Sequence, residues 1–155
     1  MVKVIDGNIL DSKVNVIGHQ VNCMGAFGSG VARAIRNHDY GLYENYKMAC
    51  DMANKPEDLL GTIKFCVSSK DKKIYAHMFG QLYYGSKQGV QYTSIEAITR
   101  CLNELKSFCK YNNFKVAIPY KIGCVRGGAD WNEVYKIIDD IFSDYEIELW
   151  RLDNG

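Results

Sequence analysis

His19, Gln20 and Asn22 close an apolar run that begins at Val14, and Gly25, Gly28 and Gly30 follow them, ahead of a helical pattern of Val31, Ala34 and Ile35. The order is strand, glycine loop, helix. Unpaired backbone N–H groups collect at a helix N-terminus, where the peptide dipoles also favour negative charge, so the guest of such a loop is an anion such as a phosphate. Glycine suits the loop because backbone must approach the ligand closely. A tight turn without a ligand is the alternative reading of these glycines alone. His19, at the strand end, carries an imidazole with a pKa ordinarily near neutrality, fit for general acid, general base or phosphate-ligand work; a structural histidine bonded to backbone is the alternative. Cys23 and Cys124 each lie in a glycine loop near a helix start, an environment that can create a nucleophilic thiolate. The arginine of a cysteine-dependent phosphatase is missing, since Ser29 and Asp130 stand at its spacing, and both cysteines read as packing residues. His77 sits in an apolar strand pattern and reads as core, and His38, after a helix end, as a surface or capping residue.

Elements of both kinds must hold these residues. Val2–Ile5 reads as a strand ending at Asp6-Gly7-Asn8, and Val14–His19 as a second strand. A helix runs from the glycine loop to about Asn37, and Leu42, Tyr43, Tyr46, Ala49, Cys50 and Ala53 repeat at helical spacing until Pro56. Thr62–Val67 and Lys73–Phe79 are β-branched and aromatic runs joined by a polar connection, as a hairpin or as strands paired elsewhere in parallel. Gly80–Tyr92, with three tyrosines and no clean period, reads as an irregular surface loop of the kind that carries function. Ile95, Ile98, Leu102, Leu105 and Cys109 mark an amphipathic helix over Thr93–Lys110. Lys115–Pro119 then leads into YKIGCVRGGA and a helix signalled by Asp130 and Glu133, a second strand, glycine loop, helix unit with Trp131, Val134, Ile138 and Ile141 as its buried face. Glu146–Leu152 alternates like a closing strand.

At 155 residues, 47% of them hydrophobic and 24% charged, the chain reads as a single domain over 1–155. A formal charge of +1 offers no general attraction for nucleic acid or an anionic membrane, so any anion site is local. The 6 cysteines form neither a CxxC nor a Cys/His cluster, which indicates no metal site and no disulfide framework. The N-terminus lacks a basic region followed by an apolar core, and the expected location is cytoplasmic. Strands alternating with helices imply an α/β class, a three-layer α/β/α fold with a mixed central sheet. Ligands bind such sheets beyond the C-terminal strand ends, where both glycine loops, Asn22–Gly30 and Ile122–Gly128, are expected to face one cleft and to suit a diphosphate.

The combination resembles the macrodomain family over nearly the whole chain. Val4-Ile5-Asp6-Gly7-Asn8-Ile9 is similar to the family's first-strand motif, His19 to Gly25 with Gly28-Ser29-Gly30-Val31-Ala32 to its first ligand loop, and Ile118-Pro119 with Ile122-Gly123-Cys124 to its second. The pattern looks most like the branch of ADP-ribose 1''-phosphate phosphatases and the relatives that remove terminal ADP-ribose from proteins. The resemblance implies ADP-ribose binding, with hydrolysis of an ADP-ribose derivative, free or on a protein. A reader without catalysis is the alternative, and a dinucleotide-binding oxidoreductase a more distant one. No cofactor and no metal is implied. By the same resemblance Asn8 and Ile9 meet the adenine, Gly28, Ser29, Gly30 and Val31 cradle one phosphate, Gly123, Cys124, Val125 and Arg126 wrap the other, and Asn22 faces the distal ribose. Tyr120, or the loop at Tyr83 and Tyr84, covers the ligand. His19 and Asn22 are the catalytic candidates, orienting the ribose or its substituent for attack by water. A branched side chain at Gly28 or Gly123 is expected to exclude the phosphate and spare the fold. The chain departs from the family in carrying Asn8 where many members have Asp. It also lacks, near Gly80 and Gln81 and near Gly127, the lysine and aspartate of the glycohydrolase relatives, and it has Ala32 and Arg33 where the common hydrolase branch has an aspartate.

Overall fold

The computed structural model describes residues 1–152. Six strands, β1 (Val2–Asp6), β2 (Val16–Asn22), β3 (Ile63–Val67), β4 (Ile74–Gln81), β5 (Val116–Pro119) and β6 (Ile147–Arg151), form one sheet in the order β1-β6-β5-β2-β4-β3. Only β3 runs antiparallel to its neighbour β4, while β4 also pairs in parallel with β2, so that β4 joins a hairpin on one side and the parallel sheet on the other. The mixed sheet is therefore parallel everywhere except at one edge, and β1, β2, β4, β5 and β6 end on the same side of the molecule.

Side chains alternate across the strands and build two cores. On one face Val16, Met78, Ile118 and Leu149 pack under α3 (Ile95–Asn112) and α4 (Trp131–Ile141). On the other, Ile17, Val21, Tyr75 and Phe79 pack under α1 (Gly30–His38) and α2 (Tyr40–Met52). This is the three-layer α/β/α arrangement. The stripe on α3 buries Ile98, Leu102, Leu105 and Cys109 as its period requires, Ser94 caps the helix by accepting from the Ala97 amide at 3.1 Å, and Asn113, in the left-handed region at φ 57°, ends it. On α4 the buried pair is Val134 and Ile138; Trp131 and Ile141 are only half-buried against the same core. Strand β4 runs past the expected end at Phe79 to Gln81, since Asn22 pairs with Gln81 and skips Gly80, and Gln81 also bridges Thr93. Long-range pairing extends a segment whose local sequence shows no period. Among the described residues, no helix is long and apolar enough to cross a membrane.

Candidate functional site

A cleft of about 800 Å³ opens at the edge where the parallel strands end, and residues following β1, β2, β4, β5 and β6 all contribute to its walls. Its volume lies within the range of small-molecule sites. The first glycine loop supplies one wall. Ser29 precedes α1 in extended conformation but its side chain makes no capping hydrogen bond, so the first-turn amides of Gly30 and Val31 remain open to a guest. Gly30 has φ +59°, a conformation that side chains rarely adopt, and Gly28 has open space where a Cβ would be. The second loop faces it with Gly123, Val125, Arg126 and Gly127. The helix that follows takes no part, because Asp130 caps α4 itself by accepting from the Asn132 amide at 3.3 Å. The second wall is a loop of free amides and not a helix terminus. Lys121, Arg126 and Arg151 also line the cleft, and among the described residues no Asp or Glu does.

Most of the expected site residues come together. Asn8, Ile9, His19, Asn22, Gly28, Ser29, Gly30, Val31, Gly123, Val125 and Arg126 all line this one cleft. Cys124 does not: its amide donates to the Lys121 carbonyl at 3.0 Å and its thiol to that of Ile122 at 3.3 Å, so it belongs to the loop's interior. Burial pushes the Cys124 thiol up to about 11 and that of Cys23 up to about 12, leaving both protonated at neutral pH. Asn8 caps the short 3-10 helix after β1, its Oδ1 accepting from the Leu10 amide at 3.0 Å, which leaves one lone pair and both Nδ2 protons. Tyr120 and Tyr84 line the cleft while Tyr83 stands outside it.

The two candidates for catalysis have other partners than expected. Asn22 Nδ2 donates to the Ala26 carbonyl at 2.7 Å, and its Oδ1 accepts from the amides of Met24 and Ala26 at 3.0 and 3.2 Å. The buried Tyr46 hydroxyl lies 2.7 Å from the Asn22 carbonyl and 3.0 Å from its Oδ1. Such a side chain holds the glycine loop in shape. Asn22→Ala would orphan those loop groups and is expected to lower stability by about 2–3 kcal/mol without any ligand, read from the urea midpoint. An unchanged midpoint would mean the loop does not need this anchor.

His19 lies at the inner end of the cleft, 1% exposed, with Nε2 at 2.6 Å from His77 Nδ1 on the adjacent strand position. Phe27 packs edge-on against both rings at 5.4 and 5.6 Å, and Tyr46 closes the box. Burial, and then the neighbouring histidine, holds the His19 pKa well below its usual value, and burial lowers His77 to about 3. Both are neutral at physiological pH. The shared hydrogen bond leaves His19 Nδ1 without a protein partner among the described residues, and likewise His77 Nε2.

Two groups at the site, Arg151 and Gln81, had no recognisable signal in the chain. Arg151 reaches the cleft because β6 pairs with β1; its Nε donates to Asp6 Oδ1 at 2.8 Å and its guanidinium stacks 5.1 Å from the Tyr120 ring centre. Gln20 and Gln81 share a hydrogen bond at 2.8 Å on the opposite wall. Gln20 belonged to the polar patch at the end of β2, but its partners lie on other elements.

The chain shares this architecture with solved structures. A Bacteroides thetaiotaomicron protein of unknown function superposes with a TM-score of 0.82 at 25% identity, covering 97% of this chain and 98% of that one. The macrodomain of Mycobacterium tuberculosis DarG superposes with a TM-score of 0.81 at 20% identity, covering 97% of each chain. The chain has the macrodomain fold. A third match is Thermosipho africanus DarTG in complex with ADP-ribose, with a TM-score of 0.79 at 15% identity over 99% of this chain and 42% of that one. No protein-family model and no curated protein matches the sequence.

Proposed function

We propose that the cleft binds ADP-ribose. The observation that carries this reading is a pair of glycine loops with unpaired amides, facing each other across a single cleft that three cations and no carboxylate line among the described residues. Backbone amides on two facing loops suit the two phosphates of a diphosphate, and Lys121 and Arg126 add a local attraction that the net charge of the chain lacks, the charge of Arg151 being balanced by Asp6. Asn8 and Ile9 are assigned to the adenine, with Tyr120 and the guanidinium stacked on it beside the base. Gly28 to Val31 take one phosphate, and Val125, Arg126 and the glycines beside them the other. The distal ribose then falls toward Gln20, Asn22 and Gln81. The complex of T. africanus DarTG, part of which superposes on this chain, with ADP-ribose is in keeping with the choice of ligand.

Hydrolysis at the distal ribose is a second reading, motivated by His19: its Nδ1 has no protein partner at the cleft's inner end and can hold a water or a ribose hydroxyl in place, while the burial that keeps the ring neutral makes it a weak base. A smaller cavity of about 440 Å³ shares Ser86, Val125 and Arg126 with the cleft. In calorimetry ADP-ribose is expected to bind at least about tenfold more tightly than NAD, because nicotinamide must then share the distal end with the ribose. Equal or tighter NAD binding would overturn the reading. Turnover of ADP-ribose 1''-phosphate or of ADP-ribosylated protein by the wild type, lost in His19→Ala with ADP-ribose affinity kept, separates enzyme from reader.

A further inference from the structure

Thr93 is buried and does not line the cleft, yet it holds the second glycine loop at both ends. Its amide donates to the Gly127 carbonyl at 3.0 Å and its hydroxyl to the Gly123 carbonyl at 2.8 Å. With those two carbonyls drawn back toward Thr93, the amides of Val125 and Arg126 between them are left to face the cleft, while that of Cys124 stays bonded to the Lys121 carbonyl. The glycine at 127 follows from the same contact, for a Cβ there would collide with the Thr93 hydroxyl and the Gly123 carbonyl.

The donor directions in this cluster are fixed by chemistry. A hydroxyl has one proton, and that of Thr93 goes to a carbonyl, so its oxygen must accept; Gln20 Nε2 donates to it at 2.7 Å. Gln81 gives its own Nε2 proton to the Tyr83 carbonyl at 2.8 Å, which turns its Oε1 to accept from the same Gln20 amide nitrogen at 2.8 Å. Both Gln20 protons are thereby engaged, one on each side. Gln81 and Thr93 are the two ends of the tyrosine-bearing loop and bridge each other through backbone. A single amide on β2 therefore clamps both ends of that loop and, through Thr93, the second glycine loop.

We infer that Thr93 is a positioning residue for ligand binding, and that the Gln20–Gln81–Thr93 cluster makes the tyrosine loop and the second glycine loop move as one unit. The affinity part rests on the ADP-ribose reading above; the coupling part does not. Nothing in the cluster is charged, so its effect is mechanical: it fixes where the amides of the second loop stand.

Thr93→Val keeps the shape and the backbone donor but removes the hydroxyl, and Thr93→Ser restores it. Amide hydrogen exchange on the ligand-free protein is expected to rise about tenfold in Thr93→Val both at 82–92 and at 123–127, with α1 unchanged. ADP-ribose affinity is expected to fall about tenfold in Thr93→Val and to return in Thr93→Ser. Exchange that rises in only one of the two loops, or in neither, overturns the coupling. A wild type that binds ADP-ribose and a Thr93→Val variant that binds it equally well overturn the positioning role alone, while a wild type that does not bind ADP-ribose overturns the proposed function. Should Thr93→Val fail to fold, Gln81→Leu is read in its place, since it breaks the clamp from the other loop and leaves Thr93 bonded to Gly123; faster exchange at 123–127 is again expected, and its absence defeats the coupling.

Discussion

Gly28→Val is expected to weaken ADP-ribose binding at least about 100-fold while the melting temperature moves by no more than about 2 °C. The first glycine loop has no atom within 4 Å of the place where a Cβ at Gly28 would stand, and the residue's φ lies outside the left-handed region, so the fold accepts the side chain. The ligand does not. A branched group there occupies the space in front of the Gly30 and Val31 amides, and losing two charge-assisted hydrogen bonds removes roughly 3 kcal/mol or more. Gly123→Val is a different case, contrary to what the glycine pattern alone suggests. Gly123 has φ +75°, and its Cβ would stand 3.1 Å from Gln20 Oε1 and 3.2 Å from the Thr93 hydroxyl. That substitution strains the backbone and presses on the clamp, so it destabilises the protein as well as the site. Calorimetry beside thermal melts distinguishes the two variants; a folded Gly28→Val protein with unchanged affinity would remove the first loop from the binding site.

The second large effect is acid sensitivity. His19 and His77 are buried as neutral rings with folded-state pKa values depressed by burial, whereas in the unfolded chain each takes a proton near pH 6.5. As pH falls through 6.5 the unfolded state binds protons that the folded state refuses, and stability drops with each unit until the folded values are reached, about 3 for His77. At pH 5 the loss from His77 amounts to about 2 kcal/mol relative to pH 7.5 or above, and His19 adds a loss of the same sign. Carboxylates contribute lower in the scale, so the window from 6.5 to 5 belongs to the histidines. Urea unfolding at pH 7.5, 6.5, 5.5 and 5.0 should show this slope, and His77→Gln should show a clearly shallower one. A stability that is flat across the window in the wild type would mean that the pair takes up a proton in the folded state.

The chain states locally what local physics decides. Apolar spacing on α3, the Asp130 cap, and glycines placed between a strand and a helix are all properties of a few neighbouring residues, and each was legible in the sequence with its boundaries shifted by a few positions. The strand alternation likewise gave the class of fold, and with it the edge where a ligand would lie. The roles of polar side chains were decided by tertiary structure. Asn22 and His19 stand three positions apart at one strand end, which reads as a pair aimed at a ligand, but Tyr46 and His77 come from α2 and β4 to claim them. Gly80 and Gly127 read as loop glycines, and only the fold shows that the Gln20 amide and the Thr93 hydroxyl fill the space their side chains would need. Periodicity reports which face of an element is buried because burial repeats along the chain. A hydrogen-bond partner does not repeat: it is one atom from a distant segment, brought within 3 Å by the sheet register, and no pattern of neighbours encodes it.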